Sequence, residues 1–156
     1  MLEPLHLAKL VHIFAVILMV GATVINGLIH GQAKSASPRD AAVMLGLVMR
    51  INRYFMAPSL IVIPVSGVWL MHVAGYDLGA KWLSMSLGLS VLLIAAFLIG
   101  YRFERTLHAI ARQDAQQKKL ELSGRYGNTF QSAAVIGFGA LVMSVVAVIL
   151  MIFKPY

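Results

Sequence analysis

The sequence predicts an all-α protein that crosses a bilayer as a bundle of four helices, with both termini outside and cytoplasmic extensions of the second and third helices. Three observations predict it. Hydrophobic residues make up 60% of the chain and charged residues 12%, far from the balance of a soluble domain. Four apolar stretches, at about 10–29, 54–74, 83–101 and 133–153, each reach the ~20 residues that one hydrocarbon crossing requires. Ten of the 13 Lys and Arg residues fall in the first and third connections, so these face the cytoplasm under the positive-inside rule. The spans and their connections use the whole chain, so residues 1–156 form a single transmembrane domain.

The first span is interrupted only by His12, Thr23 and Asn26. Its apolar stretch is too long for a secretory leader, and Glu3 accompanies Lys9 where a leader would be purely basic. Ser37-Pro38-Arg39-Asp40 then supplies an N-cap serine, a first-turn proline and a carboxylate beside the positive helix end, so a helix starts there. That helix runs on through Arg50 and Arg53 into the second span. Pro58 and Pro64 lie within it, each removing a backbone donor, so a kink is expected, eased by Ser59 and Ser66.

Gly75 and Gly79 flank a short connection, which makes the second and third helices antiparallel neighbours. Trp82 follows at interface depth, and the third helix should continue past Tyr101 and Arg102 toward Leu122, with Gly124 ending it. Asn128 or Thr129 is then the expected cap of the last helix. Gly27 with Gly31, Ser84 with Gly88, Ser86 with Ser90, and Ala133 with Gly137 recur at four-residue spacing; such faces favour close helix packing and permit a homodimer.

The absence of cysteine excludes disulfides, thiolate metal sites, iron–sulfur clusters and covalently attached haem. The net charge of +7 sits beside apolar spans, where anionic lipid and topology account for it better than nucleic acid does. With no carboxylate inside any span, the ionisable groups at membrane depth reduce to histidine, and such groups are functional candidates. His12 and His72 lie within about one turn of the same outer boundary on antiparallel helices, which is the arrangement of a bis-histidine haem b; solvated interfacial histidines are the alternative.

His30 lies 18 residues after His12 on the same helical face, about 27 Å away, so the two would serve different layers of the bundle. His108 would pair with Glu104 one turn earlier. His6 lies outside the boundary, solvated or substituting for an outer ligand. Asn26, an amide within a span, needs partners, and an interhelical hydrogen bond is the expected one. The nine methionines, Met71 beside His72 among them, do not cluster by spacing and read as gap-fillers rather than copper(I) ligands.

Leu7-Ala8-Lys9-Leu10-Val11-His12, Ala57-Pro58-Ser59, Ser66-Gly67-Val68-Trp69-Leu70, Ala74-Gly75-Tyr76, Lys81-Trp82-Leu83 and the closing Met151-Ile152-Phe153-Lys154-Pro155 resemble a bacterial family of predicted integral membrane proteins of unknown function. That family is distantly similar to the HemJ-type protoporphyrinogen oxidases and the CopD-type membrane domains. The resemblance implies a haem- or porphyrin-handling protein of the bacterial inner membrane, with His12 matching the first-span histidine of HemJ. Where HemJ-type proteins carry a histidine and a lysine after Trp-Leu, this chain has Ser84 and Ser86, which weighs against porphyrinogen oxidation and leaves haem binding open. The sequence-level expectation is therefore a haem-b-binding membrane protein with a redox or electron-transfer role. His12 and His72 would ligate the iron, His30, His6 and Asn26 would be further candidates around the cofactor, and a quinone or a partner oxidoreductase would supply electrons. The alternatives are a non-enzymatic accessory subunit or small transporter, and a HemJ-like oxidase.

Overall fold

The computed structural model describes residues 3–77 and 79–154. Leu78 of the second connection and Pro155 of the closing motif lie outside the described residues. The chain forms α1 (Pro4–Ala33), α2 (Pro38–Ile51), a π-helical turn (Asn52–Met56), α3 (Ala57–Ala74), α4 (Lys81–Gln116) and α5 (Gly124–Phe153), with no strand among the described residues. The stretch from Pro38 to Ala74 is one continuous helix, so four helices are long and apolar enough to cross a membrane. All four expected spans lie within these helices.

Helix α1 packs along α3, α4 along α5, and α2 against both α1 and α4, while α1 and α3 meet α4 and α5 more sparingly. Ile17, Ile61, Val65, Val91, Val135 and Ile152 project outward from the four spans. In water such a girdle would be an aggregation surface; in hydrocarbon it is the solvated face. At mid-span the core consists of Ala15, Met19, Leu60, Ile63 and Leu93. Beyond it a second cluster of Ala33, Ala41, Leu45, Leu107, Ile110, Ala111 and Tyr126 ties together α2 and the extension of α4.

The helix starts and stops follow local chemistry. Ser37 caps α2 as expected, its Oγ accepting from the Asp40 amide at 3.2 Å. Gly75 closes α3 in the left-handed conformation (φ 71°), with Tyr76 N–H donating to Met71 O and Gly75 N–H to His72 O, a Schellman arrangement. A π-helical turn precedes Pro58: Tyr54, whose carbonyl would clash with the Pro58 ring in a regular α-helix, lies within the widened turn, whereas Pro64 lies inside α-helical α3. Ser59 Oγ donates to Phe55 O and Ser66 Oγ to Val62 O, so both serines bond back into the helix, but not to Tyr54 O or Leu60 O, the carbonyls four residues before the prolines.

Two boundaries differ from expectation. Helix α4 stops at Gln116, well before Leu122, and Gly124 starts α5 rather than ending α4, so Asn128 and Thr129 lie inside the last helix and cap nothing. The cause is Asp114, buried at 3% exposure, which accepts from Lys119 Nζ at 2.7 Å and from the Ser123 amide at 2.9 Å. These bonds fold the chain back on itself, and Lys118 takes the left-handed turn (φ 54°) that a glycine usually supplies. The expectation for the glycines among the small-residue pairs is corrected: a Cβ added at Gly27, Gly31, Gly88 or Gly137 would meet nothing within 4 Å, so these glycines do not mark tight helix crossings, whereas Ser86 and Ser90 are both buried.

At the end of the bundle that carries both termini, Lys154 reaches back to the α3–α4 connection. Its ammonium donates to Tyr76 OH at 2.6 Å and stands over the Tyr76 and Trp82 rings, which meet edge to face. The Lys154 hydrogen bond, then its charge, hold the Tyr76 phenol below the usual tyrosine range. Near-ultraviolet titration should therefore show one phenol ionising at lower pH than in Lys154→Met, where that advantage disappears; superimposable titrations would remove the contact from solution.

Candidate functional site

Two cavities open inside the bundle, one on each side of the mid-span core, and a third of about 20 Å³ lies between them, sharing Met19, Leu60 and Leu93 with one and Ile63, Pro64 and Met151 with the other. The larger, about 380 Å³, lies between the α1/α3 pair and the α4/α5 pair toward the basic end. Its walls are mostly apolar, including Met19, Leu60, Leu93, Phe97 and Ala140. Gly27, Gly31 and Gly137 line it too, which explains their open surroundings: here small residues create space instead of closing it. Phe97 and Tyr101 stack at 5.9 Å on α4, and both rings belong to the wall.

A single polar network occupies one end of this cavity. His30 on α1 donates from Nε2 to Glu104 Oε1 at 3.3 Å; since a carboxylate only accepts, that nitrogen carries the proton. Asn52, 1% exposed at the start of the π-helical turn, donates from Nδ2 to Glu104 Oε2. Asn26 on α1 donates from Nδ2 to Asn52 Oδ1 at 2.7 Å. Glu104 thus fixes the orientation of both amides, because reversing either would set donor against donor or acceptor against acceptor. Two buried atoms at the ends of this network have no hydrogen-bond partner among the described residues, Asn26 Oδ1 and His30 Nδ1. Both are acceptors in this arrangement, and unsatisfied buried acceptors of this kind call for an explanation.

Of the residues singled out in the sequence, His30 and Asn26 belong to this site, and Asn26 makes the interhelical bond expected of it. Glu104 is the partner of His30 instead of His108; His108 lies close to Gly46 on α2. Glu104 and Asn52 were missed as site residues. The signal for Glu104 was present, since it is the lone carboxylate between Asp77 and Asp114. The insertion of Asn52 depends on the π-helical turn, which no periodicity announces.

The smaller cavity, about 40 Å³, adjoins His12 near the terminal end. His12 is 6% exposed and bonded through Nδ1 to Ser66 Oγ at 2.9 Å and Ile63 O at 3.1 Å. His72 is exposed and is not brought to His12. The reason is helical phase: six residues separate His72 from Ser66, so they stand roughly 120° apart around α3, and the face that meets α1 is that of Ser66. A cavity of this size has no room for a flat tetrapyrrole between helices, so these residues do not fit a haem held between His12 and His72. His6 is exposed beside Glu3 and reaches neither cavity. Among the described residues no group of three or more His, Asp or Glu side chains converges as a metal site.

A family model described as "Predicted integral membrane protein (DUF2269)" matches residues 6–155. No curated protein and no solved structure matches the chain.

Proposed function

Since the chain belongs to the DUF2269 family of predicted integral membrane proteins, we propose that this multi-pass membrane protein binds a lipid-soluble quinol in its larger cavity and accepts a quinol proton at the His30–Glu104 pair. One observation supports the reading: an apolar cavity inside a membrane bundle is lined at one end by Asn26 and His30, whose Oδ1 and Nδ1 are buried acceptors with no donor among the described residues. A ligand satisfying them must bring hydroxyl or amine hydrogens, whereas its body must suit Phe97, Tyr101, Leu93 and Met19. Ring hydroxyls on an apolar, membrane-soluble body are the chemistry of a quinol. The corresponding quinone offers acceptors to acceptors and is disfavoured.

The same geometry supplies a path for the proton. A ligand hydroxyl would donate to His30 Nδ1, while Nε2–H is already committed to Glu104, so protonation at Nδ1 gives an imidazolium paired with a carboxylate. The second hydroxyl proton and both electrons would pass to a partner oxidoreductase, leaving the quinone and making the chain a redox accessory subunit. With ten Lys and Arg residues in the first and third connections, the positive-inside rule puts this site in the cytoplasmic half of a bacterial inner membrane.

Equilibrium dialysis of detergent-purified protein against menadiol and menadione, without oxygen, tests this. The quinol should bind at least about tenfold more tightly, a difference of ~1.4 kcal/mol. Gly137→Leu fills open space in the cavity wall and should abolish the difference while leaving the fold intact. Equal affinity for the two redox forms, or binding indifferent to Gly137→Leu, would reject the proposal.

A further inference from the structure

We infer that His12, Met151 and Met71 form a binding site for a soft monovalent cation, copper(I), at the terminal end of the bundle, across the mid-span core from the quinol cavity. The inference starts from the proton count on His12. Its Nδ1 lies 3.1 Å from Ile63 O, a carbonyl that can only accept. The hydroxyl of Ser66, 2.9 Å from the same nitrogen, has its one hydrogen in a 2.6 Å bond to Val62 O and is therefore also an acceptor here. Nδ1 must carry the proton, and the neutral ring holds its lone pair at Nε2.

That lone pair meets Met151 Sδ at 3.3 Å. Two electron-pair donors thus converge with no hydrogen between them. A second proton on the ring would resolve the conflict only by placing a cation in an apolar bundle, and no carboxylate lines the cavity to pair with it. A soft metal ion resolves it directly. With metal bonds of about 2.0 Å to imidazole and about 2.3 Å to sulfur, lengths typical of zinc sites, an N···S edge of 3.3 Å subtends roughly 100° at the ion. Met71 lines the same 40 Å³ cavity, which suits a bare ion and little else.

The donor set selects the metal. One imidazole and two thioethers, with no carboxylate, are a poor set for zinc, magnesium or calcium and a good one for copper(I). The orienting bonds from Nδ1 are those that a metal-bound histidine ordinarily makes to a carbonyl or hydroxyl behind it. Ser66 bonds back to Val62 and supports the ring. Methionine spacing along the chain could not reveal this, because residues 71 and 151 are brought together only by the packing of α3 and α5 around α1.

The test uses purified full-length protein in detergent, titrated with silver(I) as a redox-inert probe and with copper(I) under reductant against a chromophoric competitor. One ion per chain is expected. Met151→Leu and Met71→Leu preserve volume and should each weaken binding at least about tenfold, ~1.4 kcal/mol. Met85→Leu, at an exposed thioether outside the cavity, should bind as wild type, and zinc should not compete. Unchanged affinity in either Met151→Leu or Met71→Leu, equal loss in Met85→Leu, or no binding above that of detergent alone would overturn the site. X-ray absorption of the copper-loaded protein should show sulfur scatterers that diminish in both cavity variants.

Discussion

Replacing Glu104 with leucine should destabilise the bundle by about 2–6 kcal/mol, whereas Glu104→Gln should cost far less and change what the cavity binds. The carboxylate accepts from His30 at one oxygen and from Asn52 at the other. Leucine has nearly the same length but leaves both donors unpaired in a largely buried position, and unsatisfied buried donors cost ~1–3 kcal/mol each. Glutamine keeps one acceptor for His30 and offers a donor to Asn52, which can turn its amide over to receive it. Asn26 must then turn as well, so Asn26 Nδ2 replaces Oδ1 at the cavity end.

A donor now faces a ligand that formerly met an acceptor, and the preference for menadiol over menadione should shrink or reverse. Thermal unfolding in detergent and the same dialysis measure the two effects. If Glu104→Leu unfolds with the wild type, the network does not hold the helices together; if Glu104→Gln keeps the wild-type ligand preference, the amides are not oriented by the carboxylate.

Leu107→Ala should have a comparably large effect for a different reason. Leu107 is fully buried in the cluster that joins α2 to the extended part of α4, together with Leu45, Ile110 and Tyr126. That cluster lies beyond the mid-span core, where the sequence places the helices outside the hydrocarbon. Burial there gains the full hydrophobic contribution that helix contacts inside lipid lack. Removing a buried leucine side chain costs about 2–5 kcal/mol, depending on how far the surroundings relax. Chemical denaturation should show this loss, while Val135→Ala on the exposed girdle should leave stability nearly unchanged. Equal behaviour of the two variants would mean that the extension contributes nothing to the fold.

Much of the architecture was legible because it depends on local composition. Runs of apolar residues and Ser37 as a cap each act through neighbours a few positions away, and both appear as expected. The end of α4 was misjudged because Asp114 acts on Ser123, nine residues onward, and a tight loop outweighed the apparent helical continuity. The histidines divide the same way. That His12 and His30 share one face of α1 in different layers follows from their spacing of 18 on one helix. Depth along α3 was readable for His72, but the rotation of α3 against α1 was not, and rotation decides which side chain meets His12.

From the sequence alone came the fourfold crossing, the ends of most helices and the placement of His12 and His30 on one face of α1, since hydropathy and helical period are properties of each segment by itself. Only tertiary packing decided that Glu104 serves His30, that Asn52 enters the interior through a π-helical turn, and that Met151 confronts His12. Those pairings join residues 52 to 139 positions apart. They arise when helices settle at particular rotations, and rotation is set by every contact along an interface at once, which no single segment encodes.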